Sequence, residues 1–317
     1  SDLDRTMIIL GEKYAFTSLE LEKLRKKFGQ VNFLSHENSD AKALRSALEN
    51  LIKSGDQRLI VLNTAKPVDG KLVRFLTLLQ FKTKYKKIKF LNVENFLEIY
   101  LHKCYIPENG ENLNFLEEIR PYGAFAYTLK RIIDYASCLV LFILLFCLKF
   151  YVKRKIDEQS PGSLYFLQSR VGLDNREFEC IKFRSMMEDA EKDGAKFASE
   201  NDERVFEFGE FMRKTRIDEV PQCINVLRGQ MHLIGPRPER RHWINFFEKE
   251  SPYYNERHIV RPGITGWAQV NYPYGSNTHD AKQKLMYDLY YIKHWSLWLE
   301  IKIIVKTIAI VFEKKGV

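Results

Sequence analysis

The 317-residue sequence holds only five cysteines, Cys104, Cys138, Cys147, Cys180 and Cys223, with no C-x-x-C pair among them. That excludes a paired-thiol zinc site and offers no disulfide framework, so the chain reads as a reduced, cytosol-facing protein. No signal-peptide pattern opens the sequence, and Ser1–Thr6, ahead of Met7, are not expected to belong to the fold. No G-x-G-x-x-G follows the first apolar run, where Leu10-Gly11-Glu12-Lys13-Tyr14 stands instead. The glycines that let a pyrophosphate approach a helix N-terminus are therefore missing, which argues for a structural or interaction domain. No proline occurs between Pro121 and Pro161, and no charge between Tyr135 and Leu148. Nor is there an acidic surplus: 50 Lys and Arg against 41 Asp and Glu give a net charge of +9. That excess suits nucleic acid, an anionic membrane surface or a phosphorylated substrate. Nucleic acid fits least, because the lysines cluster beside apolar segments rather than among base-stacking aromatics.

What is present falls into two parts. Residues 7–106 alternate short apolar runs with helical patterns. The strands are Met7–Leu10, Gln30–Leu34, Arg58–Asn63 and Lys89–Leu91; the helices are Leu19–Phe28 (N-cap Ser18), Ala41–Lys53, Lys71–Phe81 and Val93–Cys104. Such repetition predicts a small α/β domain with a parallel sheet. A polar linker spans 107–129. Residues 130–157 read as a membrane-associated helix, with Lys130 and Arg131 before the charge-free run and Lys149, Lys153, Arg154 and Lys155 after it. Fourteen helical residues reach only about 21 Å, short of a hydrocarbon core of about 30 Å, but continuing through Phe150-Tyr151-Val152 with Lys149 snorkelling would be long enough to span, so length leaves the question open. Basic residues at both ends favour a segment that dips in and returns or lies in one leaflet, since spanning would put one basic cluster outside. A buried core helix is the competing reading.

Residues 158–317 are expected to form a mostly helical α+β domain. Leu164–Arg170 and Glu177–Arg184 alternate like paired strands around a turn at Leu173–Asn175, a polar helix begins near Met187, and Trp295–Phe312 reads as an apolar, lysine-bearing helix, either interfacial or packed on the domain. The densest chemistry lies in Arg213–Glu239. There Asp218 and Glu219 stand among Arg213, Arg216, Arg228 and Arg237. Guanidinium forks match phosphate oxygens two at a time, so acids set among them suggest a place where phosphate esters are bound and changed. Pro221 suits the first turn of a helix running to Leu227, which places the acids at its start, where Asp218 could equally be an N-cap. Neighbouring helical side chains diverge by about 100°, which argues for two roles rather than a shared proton.

Taken together, the motifs Lys130-Arg131-x-x-Asp134, Ser160-Pro161-Gly162, Gln168-x-Arg170-Val171-Gly172, Lys182-Phe183-Arg184-Ser185-Met186, Thr215-x-x-Asp218-Glu219-x-Pro221-Gln222, Asn225-Val226-Leu227-x-Gly229, Gly235-Pro236-Arg237-Pro238 and Arg261-Pro262-Gly263-Ile264-Thr265-Gly266-Trp267 resemble, in order, the bacterial sugar transferases. These are monotopic phosphoglycosyl transferases that begin glycoconjugate or exopolysaccharide assembly, and the N-terminal domain resembles the Rossmann-like domain of their larger members. The resemblance implies that Asp218 attacks a UDP-sugar, releases UMP, and passes the phosphosugar to undecaprenyl phosphate. It implies Glu219 as the Mg2+ ligand, and Lys182, Arg184, Arg213, Arg216, Arg237 and Arg261 as substrate-binding residues. It further implies a bacterial inner-membrane location among inner-leaflet phospholipid, with the catalytic domain facing the cytoplasm, and a homodimer. Two departures stand out. The proline that breaks the family's re-entrant segment is missing near Cys147. Gln230-Met231-His232 also stands where Asp-Met-Ser is usual. They motivate an alternative, a catalytically inactive membrane scaffold of a glycan assembly complex.

Overall fold

In the computed structural model, residues 6–35, 40–54, 57–65, 68–81, 88–107, 117, 119–190, 192, 202–272 and 277–313 are described. The chain divides into two compact units, Ser1–Tyr105 and Ile106–Val317.

The first unit is a four-stranded parallel sheet of β1 (Thr6–Leu10), β2 (Val31–Leu34), β3 (Gln57–Leu62) and β4 (Lys89–Asn92), in the order β2-β1-β3-β4. Helices α1 (Ser18–Phe28), α2 (Ala41–Ser54) and α3 (Gly70–Phe81) make the crossovers. Ile8, Leu10 and Ile60 pack with Leu44, Leu48, Leu72 and Leu79 in one core, the alternation expected of strands against the 3–4 spacing of helices. Helix α1 starts one residue earlier than its sequence signal, on a Thr17–Glu20 capping box. The last helical segment changes character: α4 (Val93–Phe96) passes into a π-helical turn at Leu97–Leu101, ended by left-handed His102. The strand order reverses between β1 and β3, the place where such sheets usually admit a ligand. Here Asn63, just past β3, crosses to the loop after β1. Asn63 receives the backbone N–H of Lys13 (2.8 Å) and of Tyr14 (2.8 Å) and donates to the Gly11 carbonyl (3.0 Å). A Cβ on Gly11 would stand 2.4 Å from the Asn63 oxygen, so only glycine permits this crossing.

The second unit is organised on α5 (Ala124–Gln159), the one described helix long and apolar enough to cross a membrane. The break expected of a re-entrant segment does not occur. With no proline to remove an N–H or crowd the preceding turn, the helix runs unbroken for 36 residues, about 54 Å. It also exceeds the expected 130–157 at both ends. Its buried residues, Lys130, Asp134, Cys138, Leu145, Val152 and Ile156, recur at helical spacings and form a seam. The seam packs against Cys180, Phe183, Phe206, Met212, Val226 and Met231 of the same unit. The opposite face exposes Leu139, Val140, Phe142, Ile143, Phe146 and Phe150.

Strands β5 (Tyr165–Val171) and β6 (Glu177–Phe183) pair antiparallel across a tight turn in which Asp174 and Asn175 take positive φ. Next come α6 (Glu207–Lys214), a 3-10 turn at Ile217–Gln222 and the short α7 (Cys223–Leu227). Strand β7 (His232–Ile234) pairs parallel with β8 (Gly263–Thr265), with α8 (Arg241–Glu250) between them. The chain closes with α9 (Trp267–Asn271), α10 (Thr278–Lys293) and α11 (Leu297–Phe312). Helix α11 buries Leu299, Glu300 and Ile303 and exposes Trp298, Ile301, Val305, Ile308 and Phe312. Met187 leads into a turn rather than the expected polar helix, nearly all of whose remainder beyond 190 lies outside the described residues, as do 108–116 and 118 of the linker and 273–276 of the Asn271–Asn277 loop.

Helix α5 is tied into the domain by polar groups as well as by its seam. Lys130 Nζ donates to the Ile234 carbonyl (2.9 Å), to Tyr291 Oη (2.6 Å) and to Glu300 Oε1 (2.9 Å). Asp134 accepts from the Leu233 N–H (2.7 Å) and lies 2.6 Å from His232 Nδ1. Burial outweighs Asp134 and lowers the His232 pKa, so the imidazole stays neutral and donates to the aspartate. These contacts give Lys130 and Asp134 a structural account: both ends of β7 hang from the start of the helix.

Candidate active site

Asp218 and Glu219 sit in the 3-10 turn, not at the cap of an α-helix. Pro221 cannot donate, so the turn closes with tighter i→i+3 bonds and α-helical bonding begins at Cys223. The residue that caps the turn is Arg216, held in the left-handed region at φ 57°. Asn225 fixes this turn against the hairpin: its Oδ1 receives the Ile181 N–H (3.0 Å) and its Nδ2 donates to the Glu179 carbonyl (2.7 Å). The same Nδ2 donates to Gln230 Oε1 (2.8 Å). An amide oxygen thus serves as the acceptor at position 230.

The register of β6 aims Lys182 at the turn, where its Nζ lies 3.1 Å from Glu219 Oε1. Arg237 arrives from the other side, from the loop after β7, with Nη1 at 2.9 Å from the same oxygen. Arg216 Nη1 stands 3.7 Å from Glu219 Oε2. The loop can approach this closely because Gly235, Gly263 and Gly266 lie against one another; a Cβ on Gly263 would meet Gly235 N at 2.0 Å. Asp218 and Glu219 are only 8% and 6% exposed. Burial, then the adjacent Glu219 charge, pushes Asp218 up to about 6, against the pull of Lys182, Arg237 and Arg213. Burial also works against Glu219, but Arg237, Lys182 and Arg216 outweigh it and hold that acid well below the usual carboxylate range. The pair is therefore divided: one acid is neutralised by cations, and its neighbour is left without a hydrogen bond among the described residues.

Of the substrate-binding candidates, Lys182, Arg216 and Arg237 surround the acids, and Arg213, in the last turn of α6, reaches Asp218 through its charge. Two stand apart. Arg184 lies one residue beyond β6, so strand alternation no longer aims it with Lys182. Its buried guanidinium donates instead to Ser163 O (2.8 Å), Ser160 Oγ (2.7 Å), Met186 O (3.2 Å) and Ser160 O. These bonds fasten the Ser160-Pro161-Gly162 turn to the hairpin and turn Arg184 away from the acids. Arg261 donates to the Gly229 carbonyl (2.7 Å) and lies 5.2 Å from the Tyr127 ring centroid. Arg228 is exposed and leaves the cluster. Neither the role of Asn225 nor the buried Arg257–Asp288 ion pair (2.9 Å) is announced by the sequence; the partners of that pair lie 31 residues apart and carry no short-range signal.

The donor set fits a hard divalent cation. Glu219 Oε2 is buried without a hydrogen-bond partner, and Asp218 adds a second carboxylate beside it. Mg2+ needs only one or two carboxylates when substrate phosphates and water complete its shell. No group of three or more His, Cys, Asp or Glu suited to a metal occurs among the described residues, so an all-protein cage is not the fit.

Residues 125–314 match the bacterial sugar transferase family. The chain belongs to that family. Among curated relatives, the chain is 46% identical over 203 residues to the UDP-N-acetylgalactosamine-undecaprenyl-phosphate N-acetylgalactosaminephosphotransferase of Aeromonas hydrophila, covering 64% of this chain and 48% of that one. It is 45% identical over 163 residues to the UDP-glucose:undecaprenyl-phosphate glucose-1-phosphate transferase of Xanthomonas campestris pv. campestris, covering 50% and 34%. An uncharacterized sugar transferase of Haemophilus influenzae is 29% identical over 298 residues, 86% of this chain and 59% of that one. The chain thus spans about half, or less, of the length of the first two. Those two transferases are named for different sugars at nearly equal identity, so likeness alone does not choose one.

Proposed function

We propose that this sugar transferase moves a sugar-1-phosphate from a UDP-sugar to undecaprenyl phosphate. The observation that carries the reading is the buried Asp218–Glu219 pair within the family region: three cations face Glu219, and Asp218 is left unbonded. Asp218 Oδ attacks the β-phosphorus of the donor. A new Oδ–P bond forms as the bond from that phosphorus to the oxygen bridging the two phosphates breaks, and UMP leaves with the electron pair. An oxygen of undecaprenyl phosphate then attacks the same phosphorus, breaking the Oδ–P bond and restoring the carboxylate. A covalent route lets a soluble donor and a lipid acceptor use one site in turn. Lys182, Arg216 and Arg237 spread the charge of the transferring group without reorganising, which phosphoryl transfer demands more than elaborate covalent chemistry. Glu219 Oε2 would hold Mg2+, which supplies further neutralisation of the diphosphate oxygens.

The reading extends to the membrane. Lys130 and Asp134 near one end of α5, Cys138 and Leu145 between, and Val152 and Ile156 near the other all pack on the same catalytic unit. A helix held to one body at both ends does not set those ends on opposite sides of a bilayer. Its outward Leu139–Phe150 face enters one leaflet instead, beside the outward face of α11, with Lys149 and Arg154 toward anionic headgroups on the cytoplasmic side. That would set Asp218 near the inner leaflet, where the acceptor's phosphate lies. The test is a screen of UDP-sugars for UMP release by detergent-solubilised protein. One or more donors should release UMP, and Asp218→Asn should release none; an active Asn variant sinks the mechanism.

A further inference from the structure

The loop that carries Arg237 is pinned at four successive carbonyls, each by a different donor. The Pro236 carbonyl receives the Gly263 N–H (2.9 Å) and the Glu239 carbonyl the Val171 N–H (2.9 Å). Between them, the Arg237 carbonyl receives Arg257 Nη2 (2.7 Å) and the Pro238 carbonyl receives Arg170 Nη1 (3.1 Å). Backbone donors hold the outer pair; guanidiniums hold the inner pair, that of Arg257 buried and that of Arg170 partly exposed.

Arg257 is itself locked. It is buried in the 3-10 turn Tyr254–Ile259, its Nη1 donates to Tyr254 Oη (2.7 Å), and Nη2 is shared with Asp288 Oδ2 (2.9 Å) of α10. Burying an arginine is costly unless paired and hydrogen-bonded, and this one meets both conditions. A planar fork with donors in fixed directions joins α10, the 3-10 turn and one carbonyl at once, a geometry lysine's single ammonium does not reproduce. The Arg237 side chain, by contrast, is 34% exposed and spends one nitrogen on Glu219.

We propose that Arg257, oriented by Asp288 and Tyr254, is a positioning residue that sets where the Arg237 guanidinium meets Glu219 and the donor's phosphates. Arg257 touches neither; it acts through the backbone from which Arg237 departs. The role rests on the transfer reading above, and Arg170 is its counterpart on the next carbonyl.

The test is a double-mutant cycle on the purified full chain, reading kcat/KM for UMP release with the UDP-sugar the wild type uses. Arg257→Lys keeps a charge for Asp288 but loses the fork, and is expected to lower kcat/KM on the order of 10- to 100-fold, the effect of roughly an ångström of misplacement. In the Arg237→Ala background, with no guanidinium left to place, the same change should cost less than about threefold. Asp288→Asn and Arg170→Lys should show the same dependence on Arg237, which guards against a single variant that fails to fold. Losses that multiply fully in both backgrounds, or that follow melting temperature alone, overturn the positioning role. A wild-type chain that releases UMP from no UDP-sugar overturns the transfer reading and this role with it.

Discussion

Replacing Asp218 with asparagine should abolish transfer and, at neutral pH, stabilise the protein. In the fold its carboxyl is raised from an ordinary 3.8 to about 6, by burial first and by the Glu219 charge second. A group raised in the folded state contributes stability that is fully present below its unfolded value, here below about pH 4, and lost as pH rises through about 6. The difference corresponds to about 3 kcal/mol lost by pH 8. Asparagine has the same shape and no charge to bury, though its amide brings its own unmet hydrogen bonds, so the expected gain is roughly 1–3 kcal/mol at pH 8. In a domain of this size that is a melting-temperature rise of about 2–4 °C for each kcal/mol. The assay compares urea or thermal unfolding of wild type and Asp218→Asn at pH 8 and pH 5, in EDTA and without donor, so that no bound ion offsets the buried charge. The gain should be largest at pH 8 and shrink toward pH 5, where Asp218 is protonated. An asparagine variant less stable than wild type at pH 8, or an advantage independent of pH, would refute the reasoning.

Arg184→Ala should act on the fold rather than on the substrate. Loss of its bonds to Ser160, Ser163 and Met186 is expected to destabilise the catalytic unit by about 2–4 kcal/mol in urea titrations, with the donor KM of the folded fraction unchanged; a raised KM at wild-type stability would contradict this. Treatment with EDTA should stop UMP release and added Mg2+ should restore it, while Glu219→Gln should need markedly more Mg2+ for half-maximal release, since Oε2 is the buried acceptor left open. An unchanged Mg2+ requirement in the Gln variant would remove Glu219 as a ligand.

The parallel sheet of the first unit was legible because apolar runs and helical spacings alternate cleanly from Met7 to Phe96. The crossing at its strand ends was not legible: Asn63 reaching across to Gly11 and Tyr14 is a contact that no local pattern announces. In the second unit, the acids and three of their cations stood within a few motifs. The turn type did not, because Pro221 reads as a helix start and here limits a 3-10 turn. Lys182 and Arg184 looked equivalent by alternation, yet the strand ends at Phe183 and their paths part. Arg257 and Asp288 were invisible as a pair, since only tertiary packing brings α10 to the 3-10 turn. The long helix was read as apolar and basic-flanked, but the seam that binds it along one body emerged only when its buried residues met those of β6, α6 and α7.

The central claim is that Asp218 carries the phosphosugar. Incubating the purified chain with its UDP-sugar and Mg2+ but no lipid acceptor, quenching within milliseconds to seconds, and reading intact and peptide mass tests it most directly. The account predicts a sugar-phosphate adduct on Asp218, equal in amount to the UMP released, discharged by undecaprenyl phosphate and missing from Asp218→Asn. Transfer to the lipid with no adduct at any quench time, together with UMP release by the asparagine variant, would contradict it.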